Sequence, residues 1–244
     1  MVTFEAAGRM GNFLFECATA LSYSLKHNLE FTVPFKATDE FWSPIYLKHL
    51  QNQNWDNSKH KIDIWENGHQ WQEIPFEEGW RENNIVIHGY RQSAKYFDEH
   101  RSEILYIFNL PYEKKEGIVG VHVRRGDYVH LRDKHPEVSK EWYENAMMRF
   151  PGYRFKFFSD DISWCRKEFG SRQDCEFSTN DNIERDMIEL SCCEHQIISS
   201  STFGWWGGWL NRNDNKRVLI PKLWFVEGYS LETKDIVPEY FEKI

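Results

Sequence analysis

Along this chain the spacing of apolar residues switches repeatedly, and each switch marks a strand giving way to a helix. Val2-Thr3-Phe4 reads as a strand and Gly8-Arg9-Met10-Gly11-Asn12 as the turn after it. Phe13, Cys17, Ala20, Leu21 and Ser24 then recur at helical spacing. Lys26-His27-Asn28 suits a helix exit, and Phe31-Thr32-Val33-Pro34 a second strand. From about Phe35 to Arg81 the pattern dissolves into polar, tryptophan-rich sequence, which predicts loops and short elements. Ile85 to Tyr90 restores a strand, and the spacing from Ala94 to Phe108 predicts a helix. Further on come a strand at Ile118–Val123, a helix over 140–149, a strand at Phe155–Phe158 and a helix over 162–169. A helix from Asn182 to Glu194, a strand Gln196-Ile197-Ile198, a short helix Trp205–Leu210 and a strand Val218-Leu219-Ile220 complete the series.

Strands alternating with helices in this way predict an α/β fold with parallel sheets covered by helices. Pro111 to Gly117 is charged and bounded by proline and glycine, the best linker in the chain. The expectation is two Rossmann-like domains facing each other across a cleft, 1–113 and 114–244. With 244 residues, 41% of them apolar, each half has enough material for its own core. The net charge of −8 argues against a nucleic-acid binder, which needs a dominant basic face. Eleven tryptophans are unusual and admit sugar stacking, although burial is the commoner use of an indole. The cysteines, Cys17, Cys165, Cys175, Cys192 and Cys193, are odd in number and form no C-x-x-C pair. Neither a disulfide framework nor a zinc site is expected, and a reducing, cytoplasmic setting fits. The chain opens on a strand with no signal peptide, and no apolar run approaches a membrane span. Peripheral membrane attachment stays open.

In open α/β sheets, ligands sit beyond the carboxyl ends of strands, where helix N-termini present backbone amides. Three stretches meet that description. In Gly8–Asn12, two glycines let a ligand approach the backbone, or the run is a plain turn with Asn12 as the helix N-cap. Its spacing is not the dinucleotide pattern G-x-G-x-x-G. The second is Val121–His130. On a strand, His122 and Arg124 share one face, whereas Val121, Val123 and Arg125 share the other. Arg124, seconded by His122, is a phosphate-binding candidate. Arg125 and Asp127 are read first as an ion pair stitching loops together, and the Arg125-Gly126-Asp127 tripeptide as coincidence. Third, Ser199–Leu210 runs from a strand through Ser200, Ser201 and Thr202 into a helix, a possible phosphate cradle beside Phe203. Ser159-Asp160-Asp161 lacks further metal ligands; Asp160 suits a nucleobase and Asp161 a helix cap. The spacing of His122, His130 and His135 is unconvincing for zinc. No metal is expected.

Taken together these blocks resemble the bacterial-type α-1,2-fucosyltransferases of glycosyltransferase family 11. The family's opening G-G-x-G-N-Q-x-F-Q-Y-A is similar to AGRMGNFLFECA, and its G-Y-F-Q-S-x-x-Y-F to GYRQSAKYF from Gly89. H-V-R-R-G-D-Y stands intact from His122, and F-S-D-D-x-x-W-C from Phe158. S-S-F-S-W-W-G-A-W-L resembles SSTFGWWGGWL, and the closing P-K-x-W-F and D-I-x-P-E occur from Pro221 and Asp235. Phe13 stands where the family has glutamine, and Gly204 where it has serine. The glycine loop also resembles that of peptide O-fucosyltransferases. The resemblance implies a GT-B glycosyltransferase that uses GDP-β-L-fucose and inverts at the fucose carbon without metal or other cofactor. The acceptor it implies is the 2-hydroxyl of a terminal galactose in a glycan. By position, Arg124 grips the β-phosphate beside His122, Asp160 recognises guanine, and Ser201, Thr202 and Phe203 form the diphosphate turn. Arg125 and Ser200 are counted with these donor-binding residues, and Gly11 and Asn12, also substrate-binding, face the reaction centre from the other domain. Asp127, Glu16 and His122 are base candidates, with Asp127 chosen. Another acceptor, or a non-catalytic sugar-nucleotide sensor or lectin, are the alternatives.

Overall fold

The computed structural model of the protein describes residues 1–34, 45–51, 55–229 and 233–244. It divides into two compact units, Met1–Leu110 with Leu231–Pro238, and Pro111–Ser230 with Glu239–Ile244.

In the first unit β1 (Val2–Phe4), β2 (Lys61–Ile64) and β3 (Asn84–Ile87) form a parallel sheet in the order β1-β3-β2. The register aligns Phe4 and Ile64 with Ile87, so the carboxyl ends of all three strands finish together. The helix α1 (Met10–His27) follows β1 and is buried on nearly every side from Met10 to Ser24. Phe13 meets Phe4 edge-on at 5.2 Å, which fixes the helix to the sheet. The helix ends where Asn28 takes a left-handed conformation, as the sequence predicts. Its start is different. The residue before the helix is Arg9, so Asn12 lies inside the first turn and is not the N-cap.

Several other expectations for this unit change. Phe31–Pro34 contributes one bridge, Val2 to Phe31, and no strand. The polar stretch contains β2, whose exposed Lys61 and Asp63 hide its strand character. Positions 35–44 and 52–54 of that stretch lie outside the described residues. The helix expected over 94–108 is shortened to α2 (Arg101–Phe108), preceded by two 3-10 turns that meet at Phe97 (φ −147°).

The second unit is built on six parallel strands, β4 (Lys115–Val123), β5 (Arg154–Ser159), β6 (Cys175–Phe177), β7 (Cys193–Ile198), β8 (Val218–Ile220) and β9 (Glu242–Lys243). Their order is β6-β5-β4-β7-β8-β9. Four helices alternate with them: α3 (Lys140–Met147), α4 (Ile162–Phe169), α5 (Ile183–Cys192) and α6 (Thr202–Leu210). Ser139, Asp161 and Asn182 cap the first three by accepting backbone N–H bonds, the Asp161 cap being one the sequence anticipates. One face of β4 sends Val119, Val121 and Val123 into a core with Tyr143, Phe157 and Phe169. The three tryptophans of α6 are fully buried, so the chain spends them on packing. Among the described residues no helix is long and apolar enough to cross a membrane.

Candidate functional site

The central strand β4 ends at Val123 between β5 and β7, with His122 in register with Phe158 and Ile198. Strand alternation then decides where each side chain goes. Val121 and Val123 enter the core, while His122 turns to the other face and Arg124 follows it. Both line a cavity of about 200 Å³ beyond the strand ends, together with Asp160 and Phe203. Its remaining walls come from Ser159 and from residues 180–183 and Asp186.

His122 is almost wholly buried and its Nδ1 shares a hydrogen bond of 3.0 Å with the Ser199 hydroxyl. The imidazole stacks on Phe203 with ring centres 5.1 Å apart. Its other neighbour is Gly204, where a Cβ would stand 2.6 Å from Nδ1. Glycine at that position is what lets the ring lie against α6. Burial, reinforced by the charge of Arg124, pushes the His122 pKa down to about 3. The ring is therefore neutral in any ordinary buffer and brings hydrogen bonding without charge.

Arg124 thus supplies the positive charge among the described lining residues. One guanidinium nitrogen contacts Asp160 Oδ2 at 2.8 Å and the other is paired with Asp127. Asp127, predicted to pair with Arg125, joins Arg124 instead. The chain turns back at Gly126 into a 3-10 turn over Asp127–His130, which puts Asp127 three residues on and on the Arg124 side. Arg125 leaves by the opposite face, where it meets Asp161 (3.3 Å), Glu137 (3.2 Å) and the Trp164 ring at 4.3 Å. Asp160 also accepts the Arg125 backbone N–H at 2.9 Å, so this carboxylate ties the turn to β5.

The hydroxyl-rich turn enters α6 as expected, with Ser201 as the residue before the helix. The first backbone bond of the helix runs from Trp205 N–H to Ser201 C=O, so the amides of Thr202, Phe203 and Gly204 head the helix. Ser200 is committed elsewhere: its hydroxyl donates to the Leu223 carbonyl at 2.7 Å. Phe203 lines the cavity, and Ser200, Ser201 and Thr202 do not.

Sequence reasoning missed one wall of this cavity. Asn180, Asn182 and Asp186 follow the short strand β6, which the pattern did not reveal. Asp186 accepts bonds from the Ser178 hydroxyl (2.5 Å) and the Asn180 amide (2.9 Å), and burial raises its pKa. The Asn180-Asp181-Asn182 run directly before a helix was the available signal.

In the first unit, Gly11 and Asn12 occupy the opening turn of α1. Asn12 Oδ1 accepts the Gln92 side-chain amide at 2.9 Å, which ties this turn to the loop after β3. Glu16, further along α1, is buried. Its Oε2 accepts the Ala7 N–H at 3.0 Å, and its Oε1 has no partner. Desolvation pushes its pKa up to about 9, so the carboxyl is protonated at neutral pH.

A family model described as "Glycosyl transferase family 11" matches residues 1–235. An "Alpha-1,2-colitosyltransferase" of Escherichia coli is 32% identical over 68% of this chain and 64% of its own. The "Galactoside 2-alpha-L-fucosyltransferase Sec1" of Mus musculus is 30% identical over 88% of this chain and 65% of its own. The chain thus spans less than two thirds of the length of either relative. A crystal structure of POFUT1 in its apo form aligns with 91% of this chain and 97% of its own, at 12% identity and a TM-score of 0.50. That likeness concerns the fold.

Proposed function

The chain belongs to glycosyltransferase family 11, and from that membership and the cavity beyond β4 we propose that it transfers L-fucose from GDP-β-L-fucose to the 2-hydroxyl of a terminal galactose. The single observation that carries the reading is the meeting of Arg124, neutral His122 and the head of α6 at one strand edge. Breaking the fucose–phosphate bond places negative charge on the departing GDP. A fixed guanidinium and helix-head amides stabilise such charge, and removing one such donor typically costs about 10²–10³-fold in rate. Guanine presents its N1–H and exocyclic amine as donors, which suits the carboxylates of Asp160 and Asp186.

In the proposed reaction the acceptor O2 attacks the fucose carbon, the carbon–oxygen bond to the β-phosphate breaks, and its electron pair leaves with GDP. The β-phosphate competes with Asp127 for Arg124. Once released, Asp127 takes the proton of the acceptor hydroxyl. Inversion at the fucose carbon, independence of metal and the GT-B arrangement, with donor and acceptor held by different units, belong to the same proposal. So does a cytoplasmic setting, which the five free cysteines support.

The test is release of GDP from GDP-fucose in the presence of lactose or N-acetyllactosamine, with and without EDTA. The expected result is acceptor-dependent, EDTA-resistant release. Release that ignores the acceptor overturns the transferase reading, and loss with EDTA overturns the metal-free mechanism. GDP-colitose belongs in the same assay, because one relative is named for colitose transfer.

A further inference from the structure

The donor cavity leaves open which residues receive the acceptor, and the first unit carries a second constellation that answers this. Glu5 follows β1, Asp63 and Trp65 lie on and just after β2, and His88 follows β3. All four therefore gather at the carboxyl edge of the three-stranded sheet, the edge where ligands bind in open α/β sheets. His88 is buried and held at both ring nitrogens, by Glu5 at 2.7 Å and Asp63 at 2.6 Å. Trp65 lies flat on that imidazole, with ring centres 3.9 Å apart and planes within 13°. Its other side faces outward, for the residue is 67% exposed.

An exposed indole needs a reason to keep one orientation, and here the backbone provides it. The loop after β3 is bolted to the loop after β2 through Arg91. Its backbone N–H donates to Glu66 at 3.1 Å, and its buried side chain donates to the His88 carbonyl at 3.1 Å. Gly89 has φ +94° and comes so close to Glu66 that a Cβ would stand 2.3 Å from that side chain. Only glycine fits that turn. The result is a flat, apolar disc in fixed orientation, backed by an imidazole that two carboxylates hold at its ring nitrogens.

We propose that this disc is the acceptor subsite, with the terminal galactose stacked on the outer face of Trp65. The axial O4 of galactose leaves one ring face as a continuous C–H surface, and that face matches a bare indole. The inference rests on the galactoside reading above, and its test separates the two.

Trp65→Ala raises the KM for lactose or N-acetyllactosamine about tenfold with kcat changed little, and Trp65→Phe recovers part of the loss. Calorimetry reports unchanged GDP affinity. An unchanged acceptor KM in Trp65→Ala overturns the proposal. A readout independent of turnover is ¹⁹F NMR of the 5-fluorotryptophan protein with GDP present, the Trp65 signal being assigned by its loss in Trp65→Phe. Lactose should shift that signal. If the protein turns over lactose while the Trp65 signal stays still, the subsite is wrong and the function stands. If the signal moves without turnover, the subsite stands and the function is wrong.

Discussion

Replacing Gly204 by alanine tests how His122 is held. The added Cβ would lie 2.6 Å from Nδ1 and 3.1 Å from Cγ of His122, and 3.0 Å from Cβ of Ile198. Carbon atoms pack best at about 3.5–4.0 Å, so the imidazole has to retreat. Ser199 holds it at 3.0 Å and Phe203 covers its face, which leaves no free direction. Overpacking of this kind costs about 1–3 kcal/mol. Stranding the buried Ser199–His122 hydrogen bond adds about 1–3 kcal/mol. The combined loss of about 2–6 kcal/mol lowers the melting midpoint of a chain this long by roughly 4–24 °C. Scanning calorimetry reads that loss, and NMR titration reads the ring. The wild-type imidazole stays neutral down to about pH 3 because burial disfavours its charge; a displaced ring titrates nearer the ordinary histidine value. His122→Ala on the Gly204→Ala background should recover at least about 1 kcal/mol as coupling energy. If Gly204→Ala melts with the wild type and His122 titrates unchanged, the packing argument fails. The serine that the family pattern carries at this position would meet the same ring.

Arg124→Ala should lower kcat about 10²–10³-fold with a small change in melting, because its partners Asp127 and Asp160 retain solvent access. Arg125→Ala should do the reverse, losing about 1–2 kcal/mol through its two ion pairs and the Trp164 contact while keeping most activity. Equal losses in both assays contradict the face assignment. Glu16 sets a pH dependence: its folded pKa of about 9 exceeds the ordinary 4.5, so its contribution is full below pH 4.5 and is lost as pH rises toward 9. Glu16→Gln, a mimic of the protonated acid, should flatten the alkaline side of the stability profile and raise the melting midpoint at pH 8. A variant that melts lower than the wild type at pH 8 speaks against a protonated Glu16.

The strands β4, β5, β7 and β8 were legible because each carries a short cluster of buried apolar residues: Val119, Val121 and Val123 on β4, Phe157 and Phe158 on β5, Ile197 and Ile198 on β7, and Val218 to Ile220 on β8. The three-residue β6 and two-residue β9 are too short for any period, and losing β6 also lost the Asn180–Asp186 wall. The Ala94–Phe108 pattern promised one helix, yet Phe97 is buried in extended φ and breaks it. At the site, alternation alone separated Arg124 from Arg125. The partner of Asp127 depended on a turn at Gly126 that no side-chain pattern encodes. Nor does local sequence show that 231–238 belongs with the first unit, where Asp235 accepts the Trp71 N–H at 3.1 Å and pairs with Lys95. The Trp65 platform was equally hidden, since its carboxylates and imidazole converge from three strands that are distant in sequence.

A crystal structure with GDP bound shows whether Arg124 and the head of α6 hold the departing phosphate. A β-phosphate oxygen should lie within about 3 Å of the Arg124 guanidinium and of the amides at the head of α6, with guanine against Asp160. Phosphates bound away from Arg124 and α6 would contradict it.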